Sequence, residues 1–214
     1  MTNALRHLPF RRMVRTFWAD ESGANLVEFS LVITLFLFLL LGIIDFGRIG
    51  HAWVGANKAT QLAARLAAVR PPACANVPQM NIRGMGTLNP AFGALCRAGS
   101  GVCANPGLIT CLGNANNATA LEIFTAIRPL VPPGTTINQM RYSYAFDPEL
   151  GFLGGPYVPM VTVEFTGVNF IFVSQLGAFA SALTGQASTL GTALRMPGMS
   201  VSLPAEDLAL GTDG

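Results

Sequence analysis

The sequence predicts an α+β protein: a long N-terminal helix, transmembrane in its first half, followed by a small disulfide-stabilised domain with an antiparallel sheet. Three observations predict it. No charged residue interrupts Phe29 to Ile44. An apolar spacing of three and four residues then continues to Val69, where "RPP", Arg70 to Pro72, stops it. All four cysteines fall between Ala73 and Asn117, ahead of segments whose apolar residues alternate.

The chain has 214 residues, room for one moderate domain and an attached element. Charged residues make up 11%, against roughly 25% in a typical soluble domain. A net charge of +2 gives no strong field for nucleic acid. The charge is uneven. Arg6, Arg11, Arg12 and Arg15 crowd the start, whereas residues 24–214 balance nine basic against nine acidic side chains.

Leu26 to Ile44 is 19 residues. As a helix it spans roughly 28 Å, close to the ~30 Å hydrocarbon core of a bilayer. A secretory signal peptide fits less well. Its apolar region is ~7–15 residues and leads to a small-residue cleavage site, whereas here "IIDFGRIGHAW" follows. The arginines before the span keep the N-terminus cytoplasmic and send the C-terminal part across. A plain signal anchor is the simpler alternative.

Beyond the span, Asp45 and Arg48 are spaced to share one helix face at the outer interface. His51 and Trp53 suit the interfacial belt. Ala52, Ala56, Ala59, Leu62, Leu66 and Val69 extend the helix, so that Ala24 to Val69 reaches about 69 Å. Residues 71–118 form a loop-rich insert holding Cys74, Cys96, Cys103 and Cys111. With no C-x-x-C and no nearby histidine, a zinc site is disfavoured and two disulfides are expected. The three possible connectivities stay open.

"TALE", Thr119 to Glu122, reads as a capping box opening a short helix through Ile127. Thr135 to Asp147 and Tyr157 to Gly167 read as strands able to pair as a hairpin with a long loop. In the second, Val161, Val163 and Phe165 face one side and Thr162, Glu164 and Thr166 the other. Val168 to Leu183 reads as a buried helix or loop against the sheet. Ala187 to Gly198 reads as a third strand. The α+β domain covers 119–203, and a tail from Pro204 to Gly214 is expected to be mobile.

Glu28 is the residue a plain anchor does not need. A carboxylate at the centre of a membrane helix costs ~2.5–3.5 kcal/mol on insertion scales, and less near the interface. Were the chain cut after Gly23, Ala24 would carry a free amine and Glu28 would be the fifth residue. Amine and carboxylate would lie about 6 Å apart along the helix axis, or Glu28 would meet the amine of a neighbouring subunit.

"GANLVEF" resembles a class III prepilin signal: Gly23 before the cut, Glu28 fifth and Phe29 sixth. "VEFSLVITLFLFLLLGIIDFGR" resembles the N-terminal signature of TadE-like proteins, minor pilins or pseudopilins of the tight-adherence (Tad/Flp) pilus system. Gly23, Glu28, Phe29, Gly42, and the exit motif Asp45, Phe46, Gly47 and Arg48 carry the likeness. Thr34 stands near where relatives commonly have a proline. "TALRMP" weakly resembles the closing strand of such domains.

The resemblance implies a pilin-like fold and a basic leader, residues 1–23, removed by a prepilin peptidase between Gly23 and Ala24. It implies pilin assembly through Glu28 and Phe29. Partners would be the membrane, the peptidase, other pilin subunits and the pilus assembly platform. The chain would sit in the bacterial inner membrane as a single pass, with its C-terminal domain periplasmic, or enter the extracellular pilus and act in assembly and surface adherence. The alternative is a signal-anchored binding module outside any filament.

The sequence contains no H-E-x-x-H, G-x-S-x-G, G-x-x-x-x-G-K or G-x-G-x-x-G. No catalytic residue, metal site, cofactor, nucleic acid or small-molecule substrate is expected.

Overall fold

Helix α1, Ala24–Val69, runs 46 residues without a break. Its sequence contains no proline until Pro71, and that proline disfavours helical geometry at Arg70. The Arg70 amide still donates to the Leu66 carbonyl at 3.0 Å, closing the last turn. The computed structural model describes residues 23–85, 89–172, 176–186, 193–206 and 208. The chain divides into two units, Met1–Phe46 and Gly47–Gly214, and α1 contributes to both.

In the first unit, Leu26, Phe29, Leu35, Phe36, Leu39 and Ile43 are all exposed. α1 is long and apolar enough to cross a membrane, and none of its apolar window is buried. A helix that is apolar all round and uncovered matches a single-pass anchor better than a core helix. The two hydroxyls of the apolar run are satisfied internally. Ser30 donates to the Val27 carbonyl at 2.8 Å, and Thr34 to the Ser30 carbonyl at 2.6 Å. Such back-bonding removes most of the cost of a hydroxyl in hydrocarbon.

In the second unit the buried face of α1 is made of small residues: Ala56, Ala59, Thr60, Ala63, Ala64, Ala67 and Ala68. Small side chains let the helix backbone come close, and the bulk of the core comes from the elements packed on it. Ile123 and Ile127 of α2 (Ala118–Ile127) join it, as do Met140, Tyr142 and Tyr144 of β2 (Met140–Ala145) and Val161, Val163 and Phe165 of β3 (Met160–Phe165). Each large apolar side chain fully buried contributes ~1.5–3 kcal/mol, so the sheet supplies most of this core.

The main sheet is antiparallel throughout. β1 (Ile109–Leu112) pairs with β2, β2 with β3, and β3 with a C-terminal strand, Met199–Pro204. A two-residue ladder lies apart: β4 (Asn169–Phe170) pairs with β5 (Leu194–Arg195). The C-terminal strand is therefore β6 and the sheet order is β1-β2-β3-β6. A short helix, α3 (Leu176–Thr184), follows β4.

Several sequence expectations change in detail. The cap of α2 is Asn117, whose side chain accepts from the Ala120 amide at 2.9 Å; Thr119 lies inside the helix and is buried. The first expected strand begins at Met140, because Ile137–Gln139 is a 3-10 turn closed by a capping box between Thr136 and Gln139. That turn explains why Ile137 breaks the alternation. The third strand of the main sheet is Met199–Pro204, not Ala187 to Gly198. Leu194–Arg195 belongs to the small ladder, and residues 187–192 lie outside the described residues. Residues 71–118 also contribute β1 to the sheet. Near the expected tail, Pro204 pairs with Met160, the Ala205 amide donates to the Pro159 carbonyl, and Leu208 is fully buried. Residues 207 and 209–214 lie outside the described residues.

Two disulfides close the loops, Cys74–Cys111 and Cys96–Cys103. The first ties the chain just past α1 to the edge strand β1. Beside it the Tyr144 hydroxyl accepts from the Ala73 amide, and the Asn117 side-chain amide donates to the Pro72 carbonyl. The second sits in a small satellite core with Val102 and Leu153.

Candidate functional site

Gly23 is exposed, and a β-carbon built on it would meet nothing within 4 Å. Ala24 opens α1, and Glu28 and Phe29 lie in its second turn, both exposed. On the helix, residues 24 and 28 face the same side about one turn apart. Among the described residues, none covers these side chains.

The exit motif is split in character. Asp45 is 2% exposed whereas Phe46 next to it is 75% exposed. Gly47 is exposed with open space around its α-carbon. Arg48 is half-buried, its guanidinium 5.2 Å from the centroid of the Phe170 ring. At that distance a cation over an aromatic face is held by the ring quadrupole. Phe170 in turn meets Phe172 edge-on at 5.4 Å. Phe170 was invisible as a partner in sequence, because the contact joins residues far apart in the chain.

Arg48 and His51 line one side of a cleft of about 300 Å³, and the turn after α2, Pro129 to Pro133, lines the other. That turn begins as the 3-10 segment Arg128–Leu130, which Pro129 favours by its fixed φ. It lies very close to α1: a β-carbon on Gly55 would fall 2.6 Å from the Leu130 carbonyl oxygen. Only glycine permits that approach.

Among the described residues no group of three or more His, Cys, Asp or Glu side chains is placed to hold a metal. The strongest titration shifts among the described residues belong to buried tyrosines. Burial pushes Tyr144 up to about 12, although its bond from Ala73 works the other way, and pushes Tyr157 up to about 12. Tyr142 is raised further by burial and by its neighbour Tyr144. These shifts mark a dry core.

Residues 23–65 match the family model described as TadE-like protein. The match opens on Gly23, takes in Glu28 and the exit motif, and ends within the outer half of α1. No curated protein and no solved structure matches the chain. Over residues 23–65 the chain is similar to TadE-like proteins, a likeness consistent with a protein of the Tad pilus system.

Proposed function

We propose that the protein is a minor pilin or pseudopilin of a Tad/Flp-type pilus, made as a single-pass inner-membrane precursor and cut between Gly23 and Ala24. One coincidence carries this reading. The family match begins at Gly23 and α1 begins at Ala24, so the residue before the proposed cut is also the last before the helix. The new amine at Ala24 pairs with Glu28 of its own or a neighbouring helix. An unpaired carboxylate in low dielectric is heavily penalised, so this pairing sets the axial register of subunits. The role is structural: α1 anchors and packs, and the disulfide-bonded domain makes contacts in assembly and adherence.

A signal-anchored binding module is the second reading. It is favoured by the end of the match at Arg65, which leaves the sheet domain outside the matched residues.

The test is the N-terminus of the membrane-extracted protein, sequenced and weighed intact, with and without the host's prepilin peptidase. A peptidase-dependent start at Ala24 supports the pilin reading. A Met1 start in a host with an active, matching peptidase removes it in favour of the anchored module.

A further inference from the structure

The cleft between α1 and the turn after α2 has two chemically different walls. On one side stand Arg48 and His51, three residues apart and so on one helix face. On the other stand Pro129, Leu130, Val131, Pro132 and Pro133. The three prolines have no backbone N–H to offer an anion. A free phosphate seeks donors on all sides, and the proline-rich wall offers no charged group and few N–H groups. An amphiphile with a phosphate at one end and hydrocarbon beside it fits both walls.

Arg48 follows Ile44, the last residue of the apolar run, by four positions on an uninterrupted helix. That is about 6 Å along the axis, and His51 is about 10 Å along it. The headgroup layer occupies roughly 5–7 Å beyond each face of the hydrocarbon core, and Arg48 and His51 are the first basic side chains after the apolar run in sequence. At about 300 Å³ the cleft is at the small end of ligand sites. Phe170 pins the guanidinium from one side, and Gly55 lets the proline wall approach. The site therefore selects a phosphate seated against hydrocarbon.

We propose that this cleft binds one membrane phospholipid, with the headgroup phosphate at Arg48 and His51 and the glycerol region against Pro129 to Pro133. The proposal rests on α1 crossing a membrane and is independent of cleavage at Gly23 or entry into a filament.

The experiment uses the full chain purified in detergent, delipidated, and titrated under native mass spectrometry. The probes are phosphatidylglycerol, a diacylglycerol with the same tails, and inorganic phosphate as competitor. One phosphatidylglycerol should bind, and Arg48→Gln and Ala52→Phe, which fills the cleft, should each weaken it about tenfold, the worth of one charge-assisted contact. His51→Leu should weaken it less. Lys58→Gln with Arg65→Gln, farther along α1, should leave it unchanged. Equal retention of diacylglycerol, displacement by stoichiometric inorganic phosphate, or unchanged binding in Ala52→Phe would each overturn the proposal. Were Arg48→Gln to misfold by circular dichroism, Ala52→Phe and His51→Leu decide alone.

Discussion

The hydroxyl of Tyr144 accepts a hydrogen bond from the Ala73 amide at 2.9 Å, joining the middle strand β2 to the chain where it leaves α1. Both groups are buried. Tyr144→Phe leaves the Ala73 N–H without an acceptor in a dry site, a loss of about 1–3 kcal/mol. Tyr157 is the counter-case, because its buried hydroxyl has no hydrogen-bond partner among the described residues. Tyr157→Phe removes an unsatisfied group and keeps the ring, so it should be neutral or stabilising. Denaturant midpoints of the two variants in detergent check this, and equal losses would show that the two hydroxyls are not distinguished as described.

The same tyrosines set a pH limit. In the unfolded chain a tyrosine titrates near 10, whereas folded Tyr144 and Tyr157 titrate at about 12. The folded state therefore holds protons that the unfolded state releases. Their stabilisation is complete below about pH 10 and is lost as pH rises from 10 through 12, by up to ~1.4 kcal/mol per unit for each group. Denaturant midpoints should be level from pH 8 to 9.5 and fall by pH 11.5. The fall should be shallower in Tyr157→Phe. A flat profile to pH 11.5 in the parent would contradict the burial.

Much of this architecture is legible in the sequence because the signals are local. The span from Leu26 to Ile44, the stop at Arg70 to Pro72 and the alternation of Val161, Val163 and Phe165 depend only on neighbouring residues. β6 was equally legible. Met199, Val201 and Leu203 alternate with Ser200 and Ser202, a period-two signal that begins just past the expected strand, Ala187 to Gly198. β1 is only four residues in a Gly- and Asn-rich stretch, and its strand character comes from pairing with β2. Asn117, two residues before Thr119, caps α2 because its side chain reaches the Ala120 amide, a choice that depends on backbone geometry rather than on the motif. The Arg48–Phe170 contact and the cleft beside it come from tertiary packing, which has no sequence period.

The two disulfides should differ in worth. Cys74 and Cys111 are 37 residues apart, Cys96 and Cys103 only 7. In the chain-entropy account the longer loop stabilises by about 4 kcal/mol and the shorter by about 2.5 kcal/mol. The longer one also ties α1's exit to an edge strand. Cys74→Ala with Cys111→Ala should therefore lower the melting temperature more than Cys96→Ala with Cys103→Ala. The reverse order would place the stability of the unit in the satellite core around Leu153.

Glu28 separates the two functional readings. It is exposed at the start of α1, so Glu28→Ala removes a charge without leaving a hole. Membrane insertion should be unchanged or slightly improved, since a carboxylate near hydrocarbon opposes insertion. Pilus assembly, counted by electron microscopy or surface shear, should fall if the Ala24 amine pairs with Glu28 across subunits. Wild-type piliation in this variant would favour the anchored binding module.

Gly55 and Gly50 form a matched pair on α1. Alanine is the better helix former by up to ~1 kcal/mol, so Gly→Ala at an open helical site stabilises. A β-carbon on Gly50 meets nothing within 4 Å, and Gly50→Ala should gain that amount. On Gly55 the same carbon falls 2.6 Å from the Leu130 carbonyl oxygen, which belongs to backbone and cannot rotate away. Overpacking of this kind costs about 1–3 kcal/mol, more than the propensity gain, so Gly55→Ala should be destabilising on balance. The proline wall would also be pushed off α1, and the accessibility of a reporter cysteine at Pro133 should rise in Gly55→Ala and not in Gly50→Ala. Stabilisation of both variants alike would mean that the turn after α2 yields freely, and the cleft beside Arg48 would then have no fixed wall.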